Sequence, residues 1–187
     1  LVNDEQMTIN LPGSNSWTPK NYSNAFSGEV TLTQAFSQSL NIPAIKISEA
    51  VGRTNVSELG KKFGLLSDPT NGPAIALGTS EATLLDLVGA YATILNHGTR
   101  VEPFGWEKLQ LKKNKNEILM AKSERPNMRI VNQETAQNLI FMMSEVTKNG
   151  TGKRAKFPDW EIAGKTGTSQ SARDAWFIGF SKYYVTG

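Results

Sequence analysis

The chain has no cysteine, one histidine and no long apolar run. Without cysteine there is no disulfide, no thiolate nucleophile and no thiolate-ligated zinc. The single histidine, His97, stands before Gly98 at a predicted helix end, where its expected role is a cap or dipole partner. A Ser-His-Asp triad therefore has little support. No stretch approaches the ~20 apolar residues of a membrane helix, and no signal peptide is visible at Leu1. Charge of one sign is also scarce, with a net +3 from 20 basic and 17 acidic side chains. The densest basic run, Lys108 to Lys115, is broken by Leu109, Leu111 and Asn114 and reads as the solvated face of a hairpin. Nucleic acid, which selects a concentrated basic stripe, is not an expected partner. No metal or organic cofactor is implied.

What is present suits a globular chain with one sizeable core: 187 residues, 39% hydrophobic and 20% charged. Residues 1 to 30 are rich in Asn, Ser, Gly and Pro and read as an extended, loop-like segment. Apolar spacing predicts a helix over Thr31 to Leu40. Asn41 and Pro43 interrupt it, and a second helix runs from Pro43 to Val51 with Gly52 ending it. Thr54 or Asn55 is expected to cap a third, ending near Gly64. Thr79 to Asn96 carries the clearest apolar face. Short strands follow over 101–121, with a polar turn at Lys113 to Asn116. Asn132 caps another helix with the stripe Ala136, Leu139, Ile140, Met143 and Val146; Met142 and Met143 read as core or half-buried packing. Gly150-Thr151-Gly152 stops that helix. Strands at Trp160 to Thr168 and Ala175 to Phe180 follow.

Two short motifs carry chemistry. Lys165-Thr166-Gly167-Thr168 reads as an edge strand lining a site, where a cation, two hydroxyls and a glycine suit a substrate carboxylate and an oxyanion. Lys-Thr-Gly is one of three motifs of the serine acyl-transfer enzymes that bind penicillin. A phosphate loop is the rival, since Gly164-Lys165-Thr166 matches the tail of Gly-x-x-x-x-Gly-Lys-Thr. That motif requires glycine where Asp159 stands, and a helix where Gly167 and a polar turn follow. Ser39-Leu40-Asn41 lies at a helix break, so both polar side chains can be presented on a loop; its bland alternative is a helix C-terminal cap. The Ser-x-x-Lys nucleophile motif is missing: no Ser or Thr has Lys three places on.

Longer matches join these motifs: Trp17-Thr18-Pro19-Lys20-Asn21-Tyr22, the run from Thr31 to Ala44, Gly164 to Thr168, and Asp174-Ala175-Trp176-Phe177-Ile178-Gly179. On them the chain resembles the transpeptidase domain of the penicillin-binding proteins, in particular the class A, bifunctional type. The resemblance extends over nearly the whole chain. It implies an α+β fold of the β-lactamase/transpeptidase kind, with a mostly helical subdomain and part of an antiparallel sheet.

The same resemblance implies roles. Ser39 matches the serine that relays a proton between nucleophile, lysine and leaving amine. Asn41 matches the asparagine that holds the acyl-side amide of the donor peptide. Lys165 keeps a positive charge beside the pocket. Thr166 and Thr168 match the hydroxyls that grip the terminal carboxylate, flanking Gly167, and the Thr168 N–H matches half of the oxyanion hole. The implied partners are peptidoglycan stem peptides ending in D-Ala-D-Ala, and β-lactam antibiotics.

In the family, Ser-x-x-Lys precedes Ser-x-Asn, so residues 1–187 are expected to be part of one transpeptidase domain, truncated at both ends and inactive alone. Exposed sheet edges are expected to invite self-association or fragment complementation. A glycosyltransferase domain, a membrane anchor and a location on the outer face of the cytoplasmic membrane are further implications for the parent protein. A D,D-carboxypeptidase or β-lactamase, and a non-catalytic β-lactam-binding module, are the alternative readings.

Overall fold

The computed structural model describes residues 1–11, 13, 15–65, 72–110, 118–121, 127–168 and 175–187. The fold is mixed α and β, as expected. It contains strands β1 (Val2–Asp4) and β2 (Gly28–Val30), then helices α1 (Leu32–Ser37), α2 (Asn41–Val51), α3 (Arg53–Lys62) and α4 (Leu84–Leu95). The hairpin strands β3 (Lys108–Gln110) and β4 (Ile118–Ala121) follow, then helix α5 (Gln133–Lys148) and strands β5 (Ala163–Thr168), β6 (Ala175–Phe180) and β7 (Val185–Thr186). Short 3-10 turns lie at Pro73–Leu77 and Lys153–Ala155.

Helix α5 forms where its sequence pattern places it. Asn132 accepts from the Thr135 N–H at 2.7 Å, and Ala136, Met143 and Val146 are buried. Met142 is half-buried. Helices α4 and α5 pack on the antiparallel sheet β5-β6-β7. Ile94, Met143, Ala163 and Phe180 form the centre of that core. Tyr91 meets the Phe180 ring edge-on, with centroids 6.5 Å apart, an arrangement that suits the aromatic quadrupoles. Burial of this kind contributes about 25 cal/mol per Å² of apolar surface. Helix α1 packs on α5, and α2 packs on β1, α3 and the Pro73–Leu77 turn.

Several boundaries depart from the sequence pattern, each for a local reason. Helix α1 ends at Ser37, and Ser39 turns left-handed with φ 56°. Helix α2 starts at Asn41, two residues before the proline expected to open it. Pro43 is tolerated there because the first-turn N–H groups have no intrahelical partner. Helix α3 starts at Arg53 after Gly52, without a side-chain cap. Asn55 instead donates to the Val51 carbonyl at 2.7 Å. Helix α4 starts at Leu84 and not at Thr79, because Thr83 and Asp86 form a capping box that fixes the first turn.

His97 lies past α4 with φ 53°. Its N–H donates to the Ile94 carbonyl at 3.0 Å and its carbonyl accepts from Arg129 at 2.9 Å, so it closes the helix end through its backbone; its ring has no hydrogen bond among the described residues. Gly98 follows with φ 83°, and a Cβ there would stand 2.3 Å from the Val131 carbonyl oxygen. Glycine is required at that crossing.

Residues 1 to 30 are less loop-like than their composition suggests. Strands β1 and β2 pair antiparallel, with Asp4 opposite Gly28, and Ile9 pairs with Trp17. At the other end, β5 begins at Ala163 and not at Trp160, which instead bridges Phe157. A third strand, β7, adds to β6. The basic run begins in the β3–β4 hairpin, but the polar turn at 113–116 lies outside the described residues, as does Asp174.

Candidate active site

Ser39 sits on the turn between α1 and α2. The turn closes through Ser39 N–H to the Phe36 carbonyl at 3.1 Å and Leu40 N–H to the Ala35 carbonyl at 2.9 Å. The left-handed backbone at a serine costs on the order of 1 kcal/mol, and the side chain is exposed.

Strand β5 brings Lys165 against this turn. The Lys165 Nζ donates to Ser39 Oγ at 2.7 Å and to the Thr166 carbonyl at 2.9 Å. It also lies 5.9 Å from the centroid of the Phe36 ring, within cation–π range. Burial pushes the ammonium down from its ordinary 10.5 to about 8, because a desolvated cation favours its neutral form. A lysine with this affinity exchanges protons near neutral pH far more readily than a surface lysine.

The hydroxyl of Thr166 lies 2.6 Å from that of Thr151. Thr168, two residues on, shares the Thr166 face of β5 by the strand period and is exposed. Gly167 lies between them, and a Cβ at that position would meet nothing within 4 Å among the described residues. Packing therefore does not demand this glycine; its effect is to leave the strand surface open. Among the described residues β5 pairs only with β6, so its other edge is free.

Thr151 is a site neighbour that motif reading did not single out. Its flanking glycines were the available signal, read only as a helix stop. Its N–H donates to the Ser37 carbonyl at 3.0 Å, and Gln38 Nε2 donates to the Asn149 carbonyl at 3.1 Å. A Cβ on Gly150 would stand 2.1 Å from the Ser37 carbonyl oxygen. The end of α5 thus clasps the Ser39 turn on one side and reaches Thr166 on the other.

Asn41 opens α2, and no hydrogen bond joins it directly to Ser39 or Lys165 among the described residues. Its Nδ2 donates to the Lys20 carbonyl at 2.8 Å. Its backbone N–H donates to Asn21 Oδ1 at 2.9 Å, and the Ile42 N–H reaches the same oxygen at 3.4 Å. Leu40 supplies no side-chain cap to α2; Asn21 does so from 20 positions away. Asn21 Nδ2 in turn donates to both Asp4 oxygens at 2.9 Å and to the Ala25 carbonyl at 2.9 Å. The Asp4 carboxylate also accepts from the Ser27 N–H at 2.8 Å.

The site lies apart from an apolar hollow beside the sheet. That hollow, of about 490 Å³, is lined by Phe157, Trp160, Ile162, Phe177, Phe180 and Tyr184 among others, and not by Ser39, Asn41 or Lys165 to Thr168. Among the described residues, no group of three His, Cys, Asp or Glu side chains is placed to hold a metal, and no helix is long and apolar enough to cross a membrane.

Comparison with known proteins gives a consistent answer. Residues 1–185 match the model of the "Penicillin binding protein transpeptidase domain" family. Penicillin-binding protein 1A of Aquifex aeolicus is 37% identical over 171 residues, covering 91% of this chain and 23% of that protein. Penicillin-binding protein 1A of Rickettsia prowazekii is 32% identical over 199 residues, covering 96% and 25%. The chain therefore spans about a quarter of the length of these relatives. Penicillin-binding protein 1A from Haemophilus influenzae superposes with a TM-score of 0.84 at 26% identity, covering 96% of this chain and 32% of that one. Penicillin-binding protein A from M. tuberculosis, solved as an imipenem acyl-enzyme complex, gives 0.77 at 25% identity, covering 97% and 47%.

Proposed function

The chain belongs to the penicillin-binding protein transpeptidase family, and from that premise we propose that the protein carrying it is a serine-type D-Ala-D-Ala transpeptidase of peptidoglycan. Residues 1–187 form part of one transpeptidase domain and supply the second and third motifs of its site. The nucleophilic serine comes from a Ser-x-x-Lys segment elsewhere in the protein. The observation that carries this reading is the 2.7 Å bond between Lys165 Nζ and Ser39 Oγ.

Family membership implies the chemistry, and that contact supports it. The nucleophilic serine attacks the penultimate D-Ala carbonyl, forming a C–O bond. Its proton passes through the Ser39 hydroxyl to the leaving amine as the C–N bond breaks and terminal D-Ala departs. An amine of a neighbouring stem peptide then takes the acyl group and returns a proton to the serine oxygen. A hydroxyl suits the relay because it accepts and donates at once. Protonated Lys165 biases the Ser39 hydroxyl and attracts the substrate carboxylate, which the Thr166 and Thr168 hydroxyls hold. The Thr168 N–H faces the developing oxyanion, and one such donor is worth about 3 kcal/mol in the transition state. The free edge of β5 and the open space over Gly167 suit an extended peptide laid along the strand. β-Lactams acylate the same serine. The reaction belongs at the outer face of the cytoplasmic membrane, where such peptides are cross-linked.

Intact-mass analysis after incubation with benzylpenicillin tests the reading. A stoichiometric adduct is expected on the whole protein and none on residues 1–187 alone. An adduct on residues 1–187 overturns the placement of the nucleophile. No adduct on either points to a non-catalytic module, and steady-state hydrolysis of the antibiotic points to a carboxypeptidase or β-lactamase.

A further inference from the structure

We propose that Asp4 is a positioning residue of this site: acting through Asn21, it sets the orientation of Asn41 and so the recognition of an acylamide on the acyl side of the donor. The inference rests on the transpeptidase reading.

Asp4 and Asn21 are both buried, at 0% and 4% exposure. A carboxylate accepts only, so the Asn21 NH2 must face it. The opposite amide orientation would set oxygen against carboxylate at one end. At the other it would set NH2 against the N–H groups of Asn41 and Ile42. Asp4 thereby selects the orientation in which Asn21 Oδ1 caps α2. The neighbouring Lys20 carbonyl, carried by the same extended segment, takes one N–H of the Asn41 amide. Backbone and side chain of Asn41 are thus fixed from one dipeptide, and the other N–H and Oδ1 of its amide have no partner among the described residues, which leaves them to a ligand. The β1–β2 pairing holds Asp4 in place through its register with Gly28.

The test is made on the whole protein, comparing acylation by benzylpenicillin, which carries an acylamide, with imipenem, which has a hydroxyethyl group instead. In Asn21→Asp two carboxylates face each other in a buried space. In Asp4→Asn the orientation of the Asn21 amide is no longer forced. In the double variant Asp4→Asn/Asn21→Asp, the new amide at position 4 donates to the new carboxylate at position 21. That carboxylate again accepts from α2, at a helix N-terminus that favours negative charge; the bond to the Ala25 carbonyl and one of the two bonds between positions 4 and 21 are lost.

Each single variant is expected to lower benzylpenicillin acylation about tenfold relative to imipenem, the scale of one mispaired hydrogen bond. The double variant, which restores the acceptor on α2, is expected to recover part of that selectivity. A purely structural role would slow both antibiotics in step, and that result overturns the proposal, as does a double variant no more selective than Asn21→Asp. If Asn21→Asp does not fold, Asp4→Asn and the double variant still decide the matter. A wild-type protein acylated by neither antibiotic would instead overturn the transpeptidase reading itself.

Discussion

Lys165 Nζ and Ser39 Oγ stand 2.7 Å apart although 126 positions separate them in the chain. Their contact makes the charge of Lys165 a property of the site. With the ammonium pushed down to about 8, acylation by a β-lactam bearing a free carboxylate is expected to fall as pH rises through about 8, while its methyl ester shows a flatter profile. Acylation rates measured across that range check this. A rise through the same window would mean that Lys165 acts as a base.

Stability should move the other way. The folded value, about 8, lies below the ordinary 10.5, so between them the unfolded chain binds more protons and stability increases with pH. The cost of burying the charge is fully present below about 8 and gone above 10.5. Lys165→Met is therefore expected to raise the thermal midpoint at neutral pH, to lose that gain at alkaline pH, and to abolish acylation. Calorimetry at both ends of the range measures the difference.

Thr151→Val removes the hydroxyl partner of Thr166 but keeps the side-chain shape and the N–H bond to Ser37. Loss of one hydrogen bond of ~1 kcal/mol predicts about a fivefold slower acylation by a carboxylate-bearing β-lactam. The ester should be nearly unaffected. Equal losses on acid and ester would show that Thr151 does not act through the carboxylate subsite.

Gly150→Ala forces a methyl against the Ser37 carbonyl oxygen, 2.1 Å from an ideal Cβ. Backbone must shift, which predicts a destabilisation of about 1–3 kcal/mol. The shift would also displace the Ser39 turn. Denaturant unfolding gives the first effect and acylation the second; an unchanged midpoint would contradict the clasp described between α5 and that turn.

Locally encoded features were legible in the sequence. The Asn132 cap and the stripe of Ala136, Met143 and Val146 specify α5 within one segment. The expected strand pair appears as β5 and β6. The approach of Lys165 to Ser39 across 126 positions has no local signal; only the resemblance to a family suggested it. Features made by distant partners were not legible. Strands β1 and β2 have three residues each, too few to show a period, and are defined by their pairing. The start of α2 depends on an acceptor 20 positions away, so proline rules alone put it too late. Thr151 looked like punctuation between glycines because its partner lies 15 positions on, in β5.

The left-handed turn at Ser39 sets two demands against each other. Glycine, asparagine and aspartate adopt φ 56° more readily than serine, yet none carries a hydroxyl. A library randomised at this position and sorted for folding alone would drift away from serine. Sorted for acylation, it would return there.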